Sequence, residues 1–496
     1  MKIVIVGGGI AGWLSAFILG NRQPCHEYTI IESEDVKTIG VGEGTTGLFL
    51  HQVFNKHFGT TIEEFIKETK STPKLGIEFN DWSELGSSYF NPIDGSITRQ
   101  ESLDSSVFFN YIQDKSLVRS SFNGNIRLKN KTPFYKRPGE LSYYDTALHL
   151  DNALTIQFFK KKSLNLKNVS LINDTVSDIK RDTNGNVISL TCKDNVVEGD
   201  LFIDCSGFSR IFSEDSDWVS FKENLPMNSV TTFSRPIEGT PDLVTKSNAM
   251  SSGWCWEIPT QERYGCGYVH CDSFISEEEV EKEIIEIYPD AKINKSFKFD
   301  SGKLKQSWKN NVVSLGLAYH FLEPLQATNI HLTLLQLDYL CVKYIRDSTE
   351  RTINKYCRDQ YNKTIDDLIE NFKHYINAHY TGSRNDTEFW RMIFTGNHIT
   401  DFTREVIELT KNRGMFGSDF PNIYGGCGSQ LWVYTVLGME HVDKERCFKI
   451  LAETGLYSRS IQKYMEVNDV SNKLELFDYD ELIEKCNDNS GIEVLA

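Results

Sequence analysis

Residues Lys2–Val6 form a β-branched run that ends on Gly7-Gly8-Gly9-Ile10-Ala11-Gly12, and the turn leads into an apolar stretch from Trp13 to Leu19. A second run, Tyr28–Ile31, ends at Glu32, about 20 residues beyond Gly12. Strand, glycine loop, helix and strand make a βαβ unit, which commits the chain to a parallel sheet with helices packed on it. Gly7 permits the tight turn, Gly9 lets a pyrophosphate approach the backbone, and Gly12 lets helix and strand pack closely. The amino end of the helix offers free N–H groups and a partial positive charge to phosphates. Glu32 would accept from a ribose hydroxyl. Dinucleotide binding by Gly7, Gly9, Ala11, Gly12 and Glu32 follows from that arrangement.

Charge sets the class of partner. The 496 residues carry a formal net charge of −16, which excludes nucleic acid and anionic membrane, both of which need a basic surface. An anionic cofactor must therefore be held by local dipoles. The eleven cysteines run from Cys25 to Cys486 without a C-x-x-C pair or zinc-type spacing. That pattern suits reduced thiols in a cytoplasmic protein without a metal site. The first twenty residues mimic a signal peptide, but Gly7-Gly8-Gly9 interrupts the apolar run, and no stretch of about 18 apolar residues appears elsewhere.

Ala147–Lys162 has the pattern of an amphipathic helix, followed by alternating strands at Val169–Ile172, Val176–Lys180 and, beyond an Asn184-Gly185 turn, Val187–Cys192. Leu201–Ile203 then runs into Asp204-Cys205-Ser206-Gly207. A meander followed by D-x-x-G is the second nucleotide-side element of many two-dinucleotide-fold flavoproteins, and it puts Val176 on the cofactor side. A strand at Asn311–Leu315 leads to Gly316-Leu317-Ala318. The expected fold is α/β: an FAD-binding, two-dinucleotide-fold core over residues 1–345, discontinuous because residues 215–305 insert a substrate-facing sheet. Residues 346–496 then form a mostly helical substrate-binding region, in which Trp390, Trp432 and Tyr434 are candidates to line a flat pocket. Phe389 and Phe394 add to the aromatic content of that region, and the acidic tail from about Asp469 reads as a solvated surface segment.

If residues 252–258 form a strand, Trp254 and Trp256 point to one face and make a wall. Trp254-Cys255-Trp256-Glu257-Ile258-Pro259 occurs together with Gly7–Trp13 (G-G-G-x-A-G-W), Gly40-Val41-Gly42-Glu43-Gly44-Thr45-Thr46, a lone Lys74 in Pro73–Ile77, Asp204–Phe208 and Gly316–Leu332. This set of motifs resembles the flavin-dependent halogenases, the family typified by the tryptophan halogenases. It spans about residues 1–335, two thirds of the chain.

The resemblance implies an enzyme that takes FADH2 from a separate NAD(P)H flavin reductase and uses dioxygen to convert chloride, bromide or iodide to hypohalous acid. Gly44, Thr45 and Leu317 then belong to the flavin site, and the backbone amides of Thr328 and Asn329 to the halide site, where directed dipoles hold an anion without a full charge. The wall of Trp254 and Trp256 separates the flavin from an electron-rich aromatic substrate, an indole or a phenol. Hypohalous acid reaches Lys74, which either polarises it as an ammonium or forms a haloamine as a free amine. Glu78 shares the strand face of Lys74 and can orient it or be an unrelated charge. A homo-oligomer is expected.

One position departs from the family pattern. Gln326 stands in Pro324-Leu325-Gln326-Ala327-Thr328 where the family has a catalytic glutamate, and Glu323 matches the other, non-catalytic one. A glutamine keeps the shape and the hydrogen bonds but is no base. The expectation is a preference for the softer halides, with Gln326→Glu raising chloride turnover. The rival readings are an aromatic hydroxylase on the same scaffold, which would bind NAD(P)H itself, and a flavin-binding protein that has lost halogenation.

Overall fold

The computed structural model describes residues 1–34, 42–54, 56–93, 105–137, 140–345 and 354–488. Gly40 and Val41 of the second glycine-rich motif, the boundary at residue 346 and the last eight residues of the acidic tail lie outside the described residues.

The opening motif builds the first sheet. Its six strands run in the order Val169–Asn173, Glu27–Glu32, Lys2–Val6, Leu201–Asp204, Val312–Ser314 and Trp308–Lys309, all parallel except the last. Burial on both faces explains the unbroken apolar runs. The helix Ile10–Arg22 packs on this sheet, and its Trp13, Leu14, Phe17 and Ile18 are all buried. From Lys2–Val6 the chain moves to one neighbour through this helix, and Leu201–Asp204 pairs on the other side, so the strand order switches there. In open α/β sheets that crevice, beyond the carboxyl ends of the strands, is where ligands bind. Gly7, Cys205 and Leu315 all leave their strands at that edge.

Strand Val169–Asn173 belongs to this parallel sheet rather than to the meander expected at that point; the meander proper is Val176–Arg181, Val187–Cys192 and Val196–Glu198. A second sheet of seven strands has the order Lys292–Lys298, Ser229–Pro236, Arg263–His270, Gly253–Pro259, Thr245–Met250, Gly76–Asn80 and Ser88–Pro92. Two of its strands thus come from residues 76–92, well before residue 215. A small antiparallel sheet of Gly42–Gly44, Ala147–Asp151 and Thr72–Lys74 packs against the second sheet at Gly253–Pro259 and Arg263–His270. From Thr328–Tyr339 onward the described chain is mainly helical, and the architecture is the expected α/β fold with a helical carboxyl-terminal part.

Three local expectations are corrected. Ala147–Asp151 is a strand, and the helix starts only at Asn152, where the Asp151 side chain accepts from the Leu154 N–H at 3.1 Å and ends the extended run. Leu75 separates two strands, so Lys74 and Glu78 belong to different sheets. The tail from Asp469 is not merely solvated: Leu476, Phe477, Leu482 and Cys486 are buried, and Tyr135 pairs with Leu476. An acidic composition hid an apolar stripe at helical spacing in Tyr479–Asn487.

Candidate active site

The amino end of Ile10–Arg22 has the features a pyrophosphate needs. Gly9 is its N-cap in extended conformation, no side chain caps the helix, and no acid lies in the first turn. A β-carbon built on Gly12 would come within 1.9 Å of the Gly7 carbonyl oxygen, whereas one built on Gly9 would meet nothing within 4 Å. Gly12 is therefore small for packing, and Gly9 for the open space beside it. Glu32 ends the second strand but has partners already: its Oε2 accepts from Trp13 Nε1 at 2.9 Å, and Oε1 pairs with Lys160. A carboxylate has lone pairs left for a ribose hydroxyl. Ala11 touches the Gly316 turn, where a β-carbon would meet it at 3.1 Å. Val176 packs on the cluster of Val4, Ile31 and Phe202.

Beyond this crevice lies a cavity whose wall includes Gly42, Glu43, Gly44, Lys74, Trp254, Trp256, Leu317, Ala327 and Asn329. Motifs far apart in sequence meet around one space. Trp254 and Trp256 lie on one face of Gly253–Pro259, with ring centroids 6.0 Å apart. Both are buried, and behind Trp254 stands Trp82 at 6.2 Å, then Trp390 at 6.0 Å from Trp82. Trp256 is held flat against the neighbouring strand: a β-carbon on Gly267 would come within 2.2 Å of its ring.

Lys74 ends the strand Thr72–Lys74 and is fully buried. Its Nζ donates to the Thr45 carbonyl at 3.2 Å. Thr45 in turn is pinned to the strand Ala147–Asp151, its hydroxyl donating to the Leu148 carbonyl at 3.0 Å. A β-carbon on Gly44 would stand 2.6 Å from Lys74 Nζ, so only glycine leaves the ammonium its place. Burial alone pulls the Lys74 ammonium down to about 7, which makes both protonation states accessible near neutrality. Glu78 plays no part here. Its carboxylate is gripped by Arg127, with N–H···O distances of 2.8 and 3.1 Å, and Arg127 also binds Asp242.

Thr328 and Asn329 are the first two residues of the helix Thr328–Tyr339, which follows Ala327 in the left-handed region at φ 55°. No side chain caps this helix and its first turn holds no acid, so its first N–H groups and its dipole are not neutralised, and Ala327 and Asn329 at this end line the cavity. The Thr328 hydroxyl is buried without a hydrogen-bond partner. That hydroxyl and the uncapped backbone amides are donors that suit a monatomic anion, whereas Asn329 Oδ1, also buried without a partner, can only accept.

Gln326 is half-buried, and its Nε2 lies 2.8 Å from Nε2 of His379. Glu323 is fully buried, and the Tyr380 hydroxyl donates to it. Burial lifts the Glu323 carboxyl to about 7, opposed by that hydroxyl. It lies beneath the wall rather than on the cavity.

Trp390, Trp432 and Tyr434 do not line the cavity: all three are core residues, Trp390 donating to the Met250 carbonyl at 2.7 Å and Trp432 packing on Tyr375, Phe402 and Phe420. Sequence reasoning missed the cavity residues Glu43, Asn152, Phe297 and Phe299. The Asn152 amide donates to Glu43 at 2.8 Å, and burial raises the Glu43 carboxyl. The alternation Ser296-Phe297-Lys298-Phe299 was a signal for the two phenylalanines. Among the described residues no group of His, Cys, Asp or Glu could hold a metal, and no helix is long and apolar enough to cross a membrane.

A family model described as tryptophan halogenase matches residues 2–449. The tryptophan 7-halogenase of Lentzea aerocolonigenes is 30% identical over 420 residues, covering 79% of this chain and 78% of its own. The tryptophan 6-halogenase of Streptomyces toxytricini is 28% identical over 449 residues, covering 83% and 84%. Among solved structures, a tryptophan halogenase from Shewanella frigidimarina superposes with a TM-score of 0.85 at 22% identity, over 99% of this chain and 98% of that one. A flavin-dependent halogenase from Xanthomonas campestris gives 0.82 at 22% identity, over 98% of each. At that identity the likeness shows the fold.

Proposed function

The chain belongs to the tryptophan halogenase family and is a flavin-dependent halogenase, and we propose that it delivers an electrophilic halogen through Lys74 to an electron-rich indole- or phenol-type ring, with bromide and iodide preferred to chloride. The observation that carries this reading is the buried Lys74 ammonium on one cavity wall with the Trp254–Trp256 face and the uncapped helix start at Thr328. When bound, the reduced flavin, made by a separate reductase, supplies with dioxygen the oxidising power for halide. Gly7, Gly9 and Gly12 with the helix behind them would hold its pyrophosphate, and Gly44 and Leu317 its ring.

The chain's own residues do the rest. The amides of Thr328 and Asn329 hold the halide against the cavity. Trp254 and Trp256, backed by Trp82 and Trp390, keep the organic ring away from the oxidant. Lys74, tied to the Thr45 carbonyl, presents N–H groups to the hypohalous oxygen in a site where burial strengthens each hydrogen bond. Gln326 can accept a hydrogen bond but cannot take the ring proton. That suits rings that lose their proton to water readily, and halides whose hypohalous acids need little activation.

The test is mass spectrometry of purified protein with FAD, a flavin reductase, NADH and bromide against a panel of indoles and phenols. A bromine isotope doublet in the product is expected; oxygenated products without halogen would overturn the reading. The placement of Lys74 can be probed without touching it. Gly44→Ala should fold, because the flexible tip of Lys74 can give way, yet brominating turnover at saturating FAD should fall about 10²-fold, as expected for a displacement near 1 Å at a reacting group. Turnover equal to wild type would show that the ammonium's place is not what matters.

A further inference from the structure

His379 follows the helix Lys355–Asn377 and is buried against the rings of Phe79 and Trp82. Its Nδ1 lies 3.0 Å from the backbone oxygen of Tyr375, which has no hydrogen to give, so Nδ1 carries the ring hydrogen. Burial disfavours the imidazolium and pulls its pKa down to about 4. Nε2 is then an unprotonated lone pair, and the Gln326 amide stands 2.8 Å from it. Only the NH2 end of the amide fits there, since its oxygen would set lone pair against lone pair. The Thr435 hydroxyl approaches the same nitrogen at 3.4 Å. The groups around the ring are thus Phe79, Trp82, Tyr375, Thr435 and Gln326. None is charged, and burial holds the Tyr375 phenol neutral.

We propose that His379 is a positioning residue that sets the chemistry of position 326: it accepts from the Gln326 amide, leaves the amide oxygen as the acceptor of that position, and excludes a free carboxylate base from it. A carboxylate at 326 would face the Nε2 lone pair, and the contact becomes favourable only when a proton bridges the pair; the imidazole, the more basic of the two, takes it and donates it as a hydrogen bond. Gln326→Glu therefore produces a carboxylate already engaged by an imidazolium, and a gain in chloride turnover requires that His379 be changed as well. The consequence for turnover rests on the halogenase reading; the pairing itself does not.

The test compares the flavin-free wild type, Gln326→Glu, His379→Gln and the double variant by NMR of the histidine rings across neutral pH, alongside bromination assays. In the wild type, His379 should stay neutral with its hydrogen on Nδ1. In Gln326→Glu, the same ring should bind its proton more than about 1,000-fold more tightly, be charged at neutral pH, and impose a new ionisation on the bromination profile. The double variant, in which the amide introduced by His379→Gln donates to the carboxylate without taking up a proton, should lose that ionisation. A wild-type ring with its hydrogen on Nε2, or a Gln326→Glu protein whose His379 stays neutral, overturns the proposal. Should Gln326→Glu fail to fold, the wild-type tautomer decides. A wild type that shows the expected tautomer but no halogenation would sink the halogenase reading and leave the pairing standing.

Discussion

Lys74→Met should abolish halogen transfer, by roughly 10³-fold or more, and yield a protein more stable than the wild type. Both effects have one cause. Lys74 has no exposed surface, and its ammonium donates to a backbone carbonyl, so its charge is desolvated and, among the described residues, met by no carboxylate. Lowering an ammonium from its usual range to about 7 means that the folded state disfavours the charged form by roughly 5 kcal/mol. Below about pH 7 the folded protein carries that buried charge and bears the whole cost. Between 7 and the unfolded value near 10.4 the unfolded chain holds the proton more strongly, so stability rises with pH, and above that range the cost is gone. Methionine fills the same volume without charge. Thermal unfolding should therefore show the variant ahead of wild type near pH 6 and the gap closing towards pH 10. A gap that does not change with pH would mean that Lys74 is solvated or paired in solution. Flavin binding should be retained, which separates a lost reacting group from a lost site.

Such a cost marks a residue kept for chemistry rather than for folding, and it bears on what the sequence made readable. The glycine loop was legible because its demands are local: Gly12 meets the Gly7 carbonyl five residues away, and the strand and helix that flank it are neighbours in the chain. The tryptophan wall was legible because a strand has period two. Ala147–Asp151 was not, since its residues suit a helix as well as a strand and what decides is pairing with Gly42–Gly44 and Thr72–Lys74, at separations of about 75 to 110 residues. The same applies to Glu78: the four-residue spacing from Lys74 was correct, but Leu75 breaks the strand and Arg127 claims the carboxylate. Gln326 was visible as a departure from a pattern, whereas His379, 53 residues on, carried no signal at all. Aromatic clustering misled for Trp390, Trp432 and Tyr434 because large rings fill cores as readily as they line pockets.

Gly9→Val is expected to cost at least 100-fold in FAD affinity, and all turnover with it, while leaving the protein folded. Most glycines of the loop cannot make this distinction. At Gly12 a β-carbon would enter the Gly7 carbonyl at 1.9 Å, and at Gly7, where φ is 120°, it would meet the Cys205 carbonyl at 2.2 Å, so substitution there breaks strand, helix and cofactor site together. Gly9 is different in both respects. Its backbone is extended, with φ −79° and ψ −175°, which any L-residue adopts, and a β-carbon there touches nothing within 4 Å. An isopropyl group would therefore occupy only the space that a pyrophosphate needs beside the helix amino end. It would also cover N–H groups that no side chain caps. Circular dichroism and the unfolding midpoint should match wild type, and titration with FAD followed by flavin fluorescence should show the loss. If Gly9→Val binds FAD normally, the open space at Gly9 is not where the phosphates lie, and the placement of the flavin ring beside Gly44 and Leu317, which depends on that anchor, falls with it.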